Sequence, residues 1–243
     1  TMFNLIKKEL SYFLYSYSVY FIMILFLLSN SLFVWVINNE NNILNNDFAS
    51  LNMFFDLTPL MLLIFIPTIT MNLFSSEFES GNIENLLTQP IKFELIVLSK
   101  YLASLITCLL MILPTLTYII IIDKISLSGI NMGQVVSSYL GLVFVIISFT
   151  SFGVLSSVIT KSQINAFLLS ILFCFLFYFG IELIKENINS RELNIILSFL
   201  SIETHYMSLR NGVIFISDVI YFVSLSFIVI FLSIKSIKSY VQN

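Results

Sequence analysis

Val135–Ile159 reads VVSSYLGLVFVIISFTSFGVLSSVI, 25 consecutive residues without one charged side chain. As a helix this run is about 37 Å long at roughly 1.5 Å per residue, enough to cross about 30 Å of bilayer hydrocarbon. Its small residues Ser148, Ser151, Gly153, Ser156 and Ser157 suit close approach of a neighbouring helix. Five further runs of similar character surround it: Val19–Ile37, Leu57–Phe74, Tyr101–Ile122, Ile164–Leu183 and Val219–Ile234. The third of the six starts earlier, because Phe93–Leu98 continues the apolar pattern before Lys100. The backbone of each run must satisfy its own hydrogen bonds in lipid, which makes each a helix.

Composition agrees. The chain has 243 residues, 58% hydrophobic and 10% charged, with mean hydropathy +0.99. A soluble domain carries about 25% charge, so too few charges exist here to coat a wetted surface. With 11 basic residues against 14 acidic ones, nucleic-acid binding is excluded as well. The expected fold is an all-α polytopic membrane protein of six transmembrane helices.

An even number of spans puts both termini on one side. Lys7, Lys8, Lys92, Lys100, Lys161, Lys235 and Lys238 fall on that side, and Lys124, Lys185, Arg191 and Arg210 on the other. Five acids accompany the first group and nine the second, and the loop Asn38–Asp56 has no Lys or Arg. The positive-inside rule then places both termini in the cytoplasm. A cleaved signal peptide is not expected: the first apolar run ends in Trp35-Val36-Ile37-Asn38 without a small-x-small site. Cys108 and Cys174 both fall within spans and read as packing residues.

Residues 2–17 read as an interfacial helix. Phe3, Ile6, Leu10, Phe13, Leu14 and Tyr17 form an apolar stripe opposite Asn4, Lys7, Lys8, Ser11 and Tyr15, although Leu5 interrupts the polar face. Between the second and third spans, residues 75–90 read SSEFESGNIENLLTQP. Asn82 suits an N-cap with Glu84 in the first turn, Ile83, Leu86 and Leu87 form an i, i+3, i+4 ridge, and Pro90 ends the helix. An apolar ridge on a cytoplasmic loop either rests on lipid or docks into another protein.

This loop resembles the hallmark element of ABC-2-type exporter permeases: an acidic pair, a Gly-Thr-Ile/Leu-Glu-x-Leu-Leu core, a proline, then Gly-Lys at the third span. Asn82 replaces the usual Thr and Ser99 the usual Gly. The resemblance implies a coupling helix seated on a cytoplasmic ABC ATPase subunit, with Glu77, Glu79, Gly81, Ile83, Glu84, Leu86, Leu87 and Pro90 forming the contact. It also fits the flat N-terminal helix and six spans, so it covers 1–243 as a single ABC-2-type transmembrane permease domain.

Residues 185–216 are too long for a turn and too mixed for a span. Ser190 suits the cap of a helix with Leu193, Ile196, Leu197 and Leu200 on one face. Thr204 suits the cap of a second helix that stops at Asn211-Gly212. The string His205-Tyr206-x-Ser208-x-x-x-Gly212-Val213-Ile214…Asp218-x-x-Tyr221-Phe222 resembles a signature of the gliding-motility-associated permease group, as do Gly153, Ser156-Ser157, Gln163 and Ala166. Phe215 stands near a position where that group has an acid. By this resemblance His205, Arg210, Gly212 and Asp218 form an external gate or loop site. An auxiliary membrane partner with an extracytoplasmic domain, a second permease copy or related permease subunit, and a role in surface gliding are implied with it.

No catalytic constellation appears. His205 is the only histidine, so a metal site is not expected. No G-x-x-x-x-G-K-[ST] exists to cradle phosphates. The chain is therefore expected to bind no cofactor, with ATP and Mg on the partner ATPase. Glu182, Asp218 and Asp123 lie at span ends, where a charge reaches headgroups or water rather than forming a mid-bilayer relay. Pro67 and Pro114 lie within spans two and three, near hydroxyls that can take up freed carbonyls. Two other readings stay open: an exporter permease for a drug, lipid or peptide unrelated to motility, and a non-transporting scaffold that transmits force or signal. For the orientation, Asn45→Cys is expected to react with a membrane-impermeant maleimide from outside the cell; labelling from the cytoplasmic face alone would invert it.

Overall fold

The computed structural model describes residues 2–36, 51–81, 92–125, 130–188 and 190–242. Six helices in it have the length and apolarity to cross a membrane: Tyr17–Val36, Asn52–Glu79, Phe93–Ile125, Met132–Ile159, Gln163–Lys185 and Ile216–Tyr240. Each overlays one of the six apolar runs, and the third begins at Phe93, where the apolar pattern starts. Among the described residues the elements are helical, with no strand. The chain is an all-α polytopic membrane protein.

The fourth span is the axis of the bundle. It packs against the second, third, fifth and sixth spans and against the short helix Ile202–Arg210, and most of its length is buried. Its small residues make this possible. Ser148, Ser151, Gly153, Ser156 and Ser157 are all buried, as their spacing predicts. A Cβ placed on Gly153 would lie 2.7 Å from Thr70 Cβ, inside any tolerated contact, so the absence of a side chain lets the second span touch the fourth. Gly141 performs the same service for Ile202–Arg210: its Cβ would stand 3.1 Å from both Tyr206 and Leu209.

Prolines shape the second and third spans. Pro59 and Pro67 lie inside the helix Asn52–Thr70, which ends three residues after Pro67 and resumes as Ser75–Glu79. The amides exposed at this interruption are satisfied from the fourth span: Phe74 N and Ser75 N donate to Ser157 Oγ at 2.8 and 3.1 Å. Around Pro114 the third span tightens into a 3₁₀ turn, Leu113–Leu116. Hydroxyls take up carbonyls there, with Thr115 Oγ1 donating to Ile112 O at 2.6 Å, Thr117 Oγ1 to Pro114 O at 2.8 Å and Tyr139 Oη to Thr115 O at 3.1 Å. The first and fifth spans each carry a π turn, Leu32–Val36 and Leu176–Gly180. These two spans are also the least enclosed of the six by the rest of the described residues.

Both chain ends lie beside the connection between spans two and three. Lys238 pairs with Glu94, and the Tyr240 ring meets Phe78 edge-on at 5.0 Å. Glu9 of the N-terminal helix reaches the same region. This is called the terminal side below, and the opposite face the far side.

Gly153→Val is expected to cost about 1–3 kcal/mol by overpacking and to lower the unfolding temperature in detergent. Adding Thr70→Ala should recover part of the loss, because the second substitution withdraws two of the atoms that the new side chain meets.

Candidate functional site

The N-terminal segment forms the helix Met2–Tyr15 and breaks at Ser16 before the first span. Its inner face packs along the start of the third span, with Phe13 buried, while Phe3 and Tyr17, both assigned to the apolar stripe, are exposed. Glu9 is one turn before Phe13 and points the same way along the helix. Its carboxylate meets Lys100 of the third span, with Nζ 3.4 Å from Glu9 Oε2 and 2.9 Å from Glu77 Oε1. The Lys100 side chain is only 5% exposed, and the Phe74 ring lies 5.2 Å from its ammonium. A buried ammonium is tolerated only where opposite charge and ring faces replace its water. Three elements are therefore tied at one atom: the N-terminal helix, the base of the 75–90 loop and the third span.

Glu79 is held differently. Its Oε1 accepts from Gln163 N and its Oε2 from Gln163 Nε2, both at 2.8 Å. The carboxylate thereby caps the first turn of the fifth span, where unpaired amides and the helix dipole favour negative charge. Gly81 follows with φ +71°, a left-handed turn that costs glycine nothing. The acidic pair and Gly81 thus form a root bound to spans three and five. Ile83, Glu84, Leu86, Leu87 and Pro90 lie outside the described residues.

On the far side, two helices follow the fifth span, Arg191–Leu200 and Ile202–Arg210. The second begins one turn earlier than the sequence suggested. Ser201, rather than Thr204, is its cap, with Ser201 Oγ accepting from Thr204 N at 3.3 Å. Its stop at Asn211-Gly212 is as expected, with Gly212 at φ +88°.

His205 and Asp218 come together, Nδ1 to Oδ1, at 2.8 Å. The imidazole stacks on Tyr221 with centroids 4.1 Å apart, and Tyr221 Oη donates to Leu200 O at 2.6 Å. Arg210 and Gly212 stand at another anchor: Arg210 pairs with Asp56, Arg210 O accepts from Ser138 Oγ at 3.0 Å and Gln134 Nε2 at 3.3 Å, and Gly212 lies over Gln134. The four far-side residues therefore serve two anchors, one on the sixth span and one on the second and fourth.

Sequence reasoning missed several partners. Tyr206 Oη donates to Phe55 O at 2.6 Å, and desolvation holds that phenol well above its ordinary pKa, so it remains a donor. Glu182 accepts from Ser201 and Thr204 hydroxyls and pairs with Lys185. From sequence Glu9 reads only as a side-setting charge, and Lys100 as that and as the lysine entering the third span; neither reading pairs them. One signal existed: Lys100 lies seven residues into an apolar run, a position that calls for an acidic partner.

The fold, with its six spans and short flanking helices, can be compared with known families. Residues 3–241 match the model of the ABC-2 family transporter protein. The chain belongs to the ABC-2 transporter family. No curated protein matches it. Membership makes this a multi-pass membrane permease of an ABC transporter, a transport component rather than a catalytic subunit, and implies association with an ABC ATPase subunit. In this ABC-2 permease the described polar contacts on the terminal side bind the chain to itself at the root of the loop.

Lys100→Met in the ABC-2 permease leaves two mostly enclosed carboxylates without their cation. Breaking such a pair costs about 3–5 kcal/mol, so a clear fall in thermal stability is expected. Combining it with Glu9→Gln and Glu77→Gln should restore most of that loss, which unfolding of the purified variants in detergent will read directly.

Proposed function

We propose that the chain is the permease subunit of an ATP-driven ABC-2 transporter in the bacterial cytoplasmic membrane, with both termini in the cytoplasm. A separate ABC ATPase, holding ATP and Mg, engages the loop through Ile83, Glu84, Leu86, Leu87 and Pro90. Glu77, Glu79 and Gly81 carry the resulting displacement into the membrane. The observation that supports this reading best is the root itself: Glu77 is tied to Lys100 of the third span, and Glu79 to the first turn of the fifth. A push on a loop so rooted tilts two spans, whereas a free loop would dissipate it.

A second copy or a related permease subunit completes the transport pathway. The far-side His205, Arg210, Gly212 and Asp218 hold the two short helices over the spans and serve as an external gate. The likeness of the His205–Phe222 string to the gliding-motility-associated permease group supports service in bacterial gliding, with an auxiliary membrane protein that carries an extracytoplasmic domain.

Replacing Leu86 and Leu87 with Asp should abolish co-purification with the cognate ATPase and its permease-dependent stimulation. Unchanged association together with unchanged coupled hydrolysis would sink the assignment of the loop.

A further inference from the structure

The helix Arg191–Leu200 has no buried residue and packs along Ile181–Glu186 at the end of the fifth span. The last carbonyls of a helix find no partner within it, and two of them here are met from other elements. Leu200 O accepts from Tyr221 Oη at 2.6 Å, and Phe199 O lies 3.4 Å from His205 Nε2.

The other ring nitrogen, Nδ1, stands 2.8 Å from Asp218 Oδ1. Both neighbours of the imidazole are acceptors, a carbonyl and a carboxylate. A neutral imidazole has one N–H and one lone pair, whereas the imidazolium has two N–H groups. Only the protonated ring can therefore make both bonds. When one proton leaves, the shorter bond to a carboxylate retains the hydrogen on Nδ1, since a bond to an ionised acceptor is the stronger. Nε2 then turns a lone pair toward Phe199 O, and that bond is lost while the link to the sixth span survives.

Charge points the same way. His205 and Asp218 are both buried, and Asp218 Oδ2 has no hydrogen-bond partner among the described residues. A buried carboxylate is stable beside a cation, and the cations of the adjoining segments are engaged: Lys185 with Glu182, and Arg210 with Asp56. Glu182 meets the same short helix at Ser201 and Thr204. The sixth span adds Tyr221 beside the ring, its lysines lying toward its other end. The π turn Leu176–Gly180 adds Tyr178, and the fourth span brings no charge and only Tyr139, bonded to Thr115. Arg191 and Glu192 stand at the opposite end of Arg191–Leu200, and Glu203, two positions before the ring on its own helix, is turned to another side. A protonated His205 is thus the countercharge of Asp218, and it also suits the negative end of the helix Arg191–Leu200.

We propose that His205 is a proton-operated latch. With both nitrogens protonated it fastens the end of Arg191–Leu200 to the sixth span, and loss of the Nε2 proton undocks that end. As regulation of the external gate the latch rests on that reading; docking itself is measured without transport, so the two fail separately.

His205 is the only histidine, so the full chain made with ¹⁵N-histidine and held in detergent gives a single imidazole spectrum. It is titrated from about pH 5 to about pH 8, the interval in which histidine changes charge. Both nitrogens should carry hydrogen at the acid end, and Nε2 should lose its proton while Nδ1 keeps its own. Over the same interval, amide exchange of residues 191–200, divided by that of His205→Gln at each pH, should rise about fivefold to thirtyfold, the scale for a cation at a partly enclosed helix C-terminus. A free peptide of residues 191–200 supplies the same correction if His205→Gln does not fold. Asp218→Asn, which keeps an acceptor at the ring but withdraws its charge, should move the Nε2 titration and the exchange transition together to lower pH. Deprotonation at Nδ1 ahead of Nε2, an Nε2 that holds one protonation state throughout, or corrected exchange that stays level across the interval would each overturn the latch.

Discussion

Backbone that leaves helical geometry inside an apolar bundle has no water to turn to, and the terminal half of this fold is organised around one solution to that constraint. The second span breaks between Thr70 and Ser75, and the hydroxyl of Ser157 accepts the two amides released there. Ser157 can reach them only because Gly153, one turn earlier on the fourth span, lets Thr70 come into contact. Once the break is fixed, the direction of Ser75–Glu79 is fixed, and with it the places of Glu77 and Glu79. Without this junction Lys100 would lose Glu77 and Gln163 would lose Glu79.

Few charges remain after a membrane protein has spent its composition on spans, and these are concentrated at junctions. On the terminal side, one ammonium ties the N-terminal helix, the loop root and the third span, and a separate carboxylate ties the root to the fifth. On the far side, Glu182, Asp218 and Arg210 each join a short helix to a span or to the chain beside it. The middle of the bundle relies on packing, on hydroxyl-to-carbonyl bonds within helices, and on a few bonds between them such as Tyr139 Oη to Thr115 O and Tyr101 Oη to Ile147 O. The result is a bundle stiff along its fourth span and held at its two faces, with spans one and five enclosed least by their own chain.

The six spans were legible because an uninterrupted apolar run of bilayer length admits one conformation, and the break at Pro114 was legible because proline lacks the amide that a helix requires. The packing role of Gly153 could be read from its setting among serines. What escaped was pairing across long separations. Glu77 reads from sequence as a surface acid available to a partner, because nothing local reveals a lysine 23 residues onward folding back to it. The N-terminal helix reads as interfacial, and nothing local shows that one of its faces is also tied to the third span, since the contact Glu9–Lys100 spans 91 residues. The misplaced helix cap has a smaller cause: Ser201 and Thr204 are chemically equivalent candidates one turn apart, and only tertiary position selects between them.

The burial of Lys100 also bears on how the molecule is built. A ribosome delivers Glu9 first, Glu77 later and the lysine last of the three. Both carboxylates must therefore wait, hydrated or neutralised elsewhere, until the third span enters the bilayer. The lysine in turn enters with an insertion penalty that only those waiting acids relieve. Assembly of this corner is thus ordered by synthesis: the helix Met2–Tyr15 can settle into its final seat only after Lys100 has been made, 91 residues beyond the Glu9 that it binds.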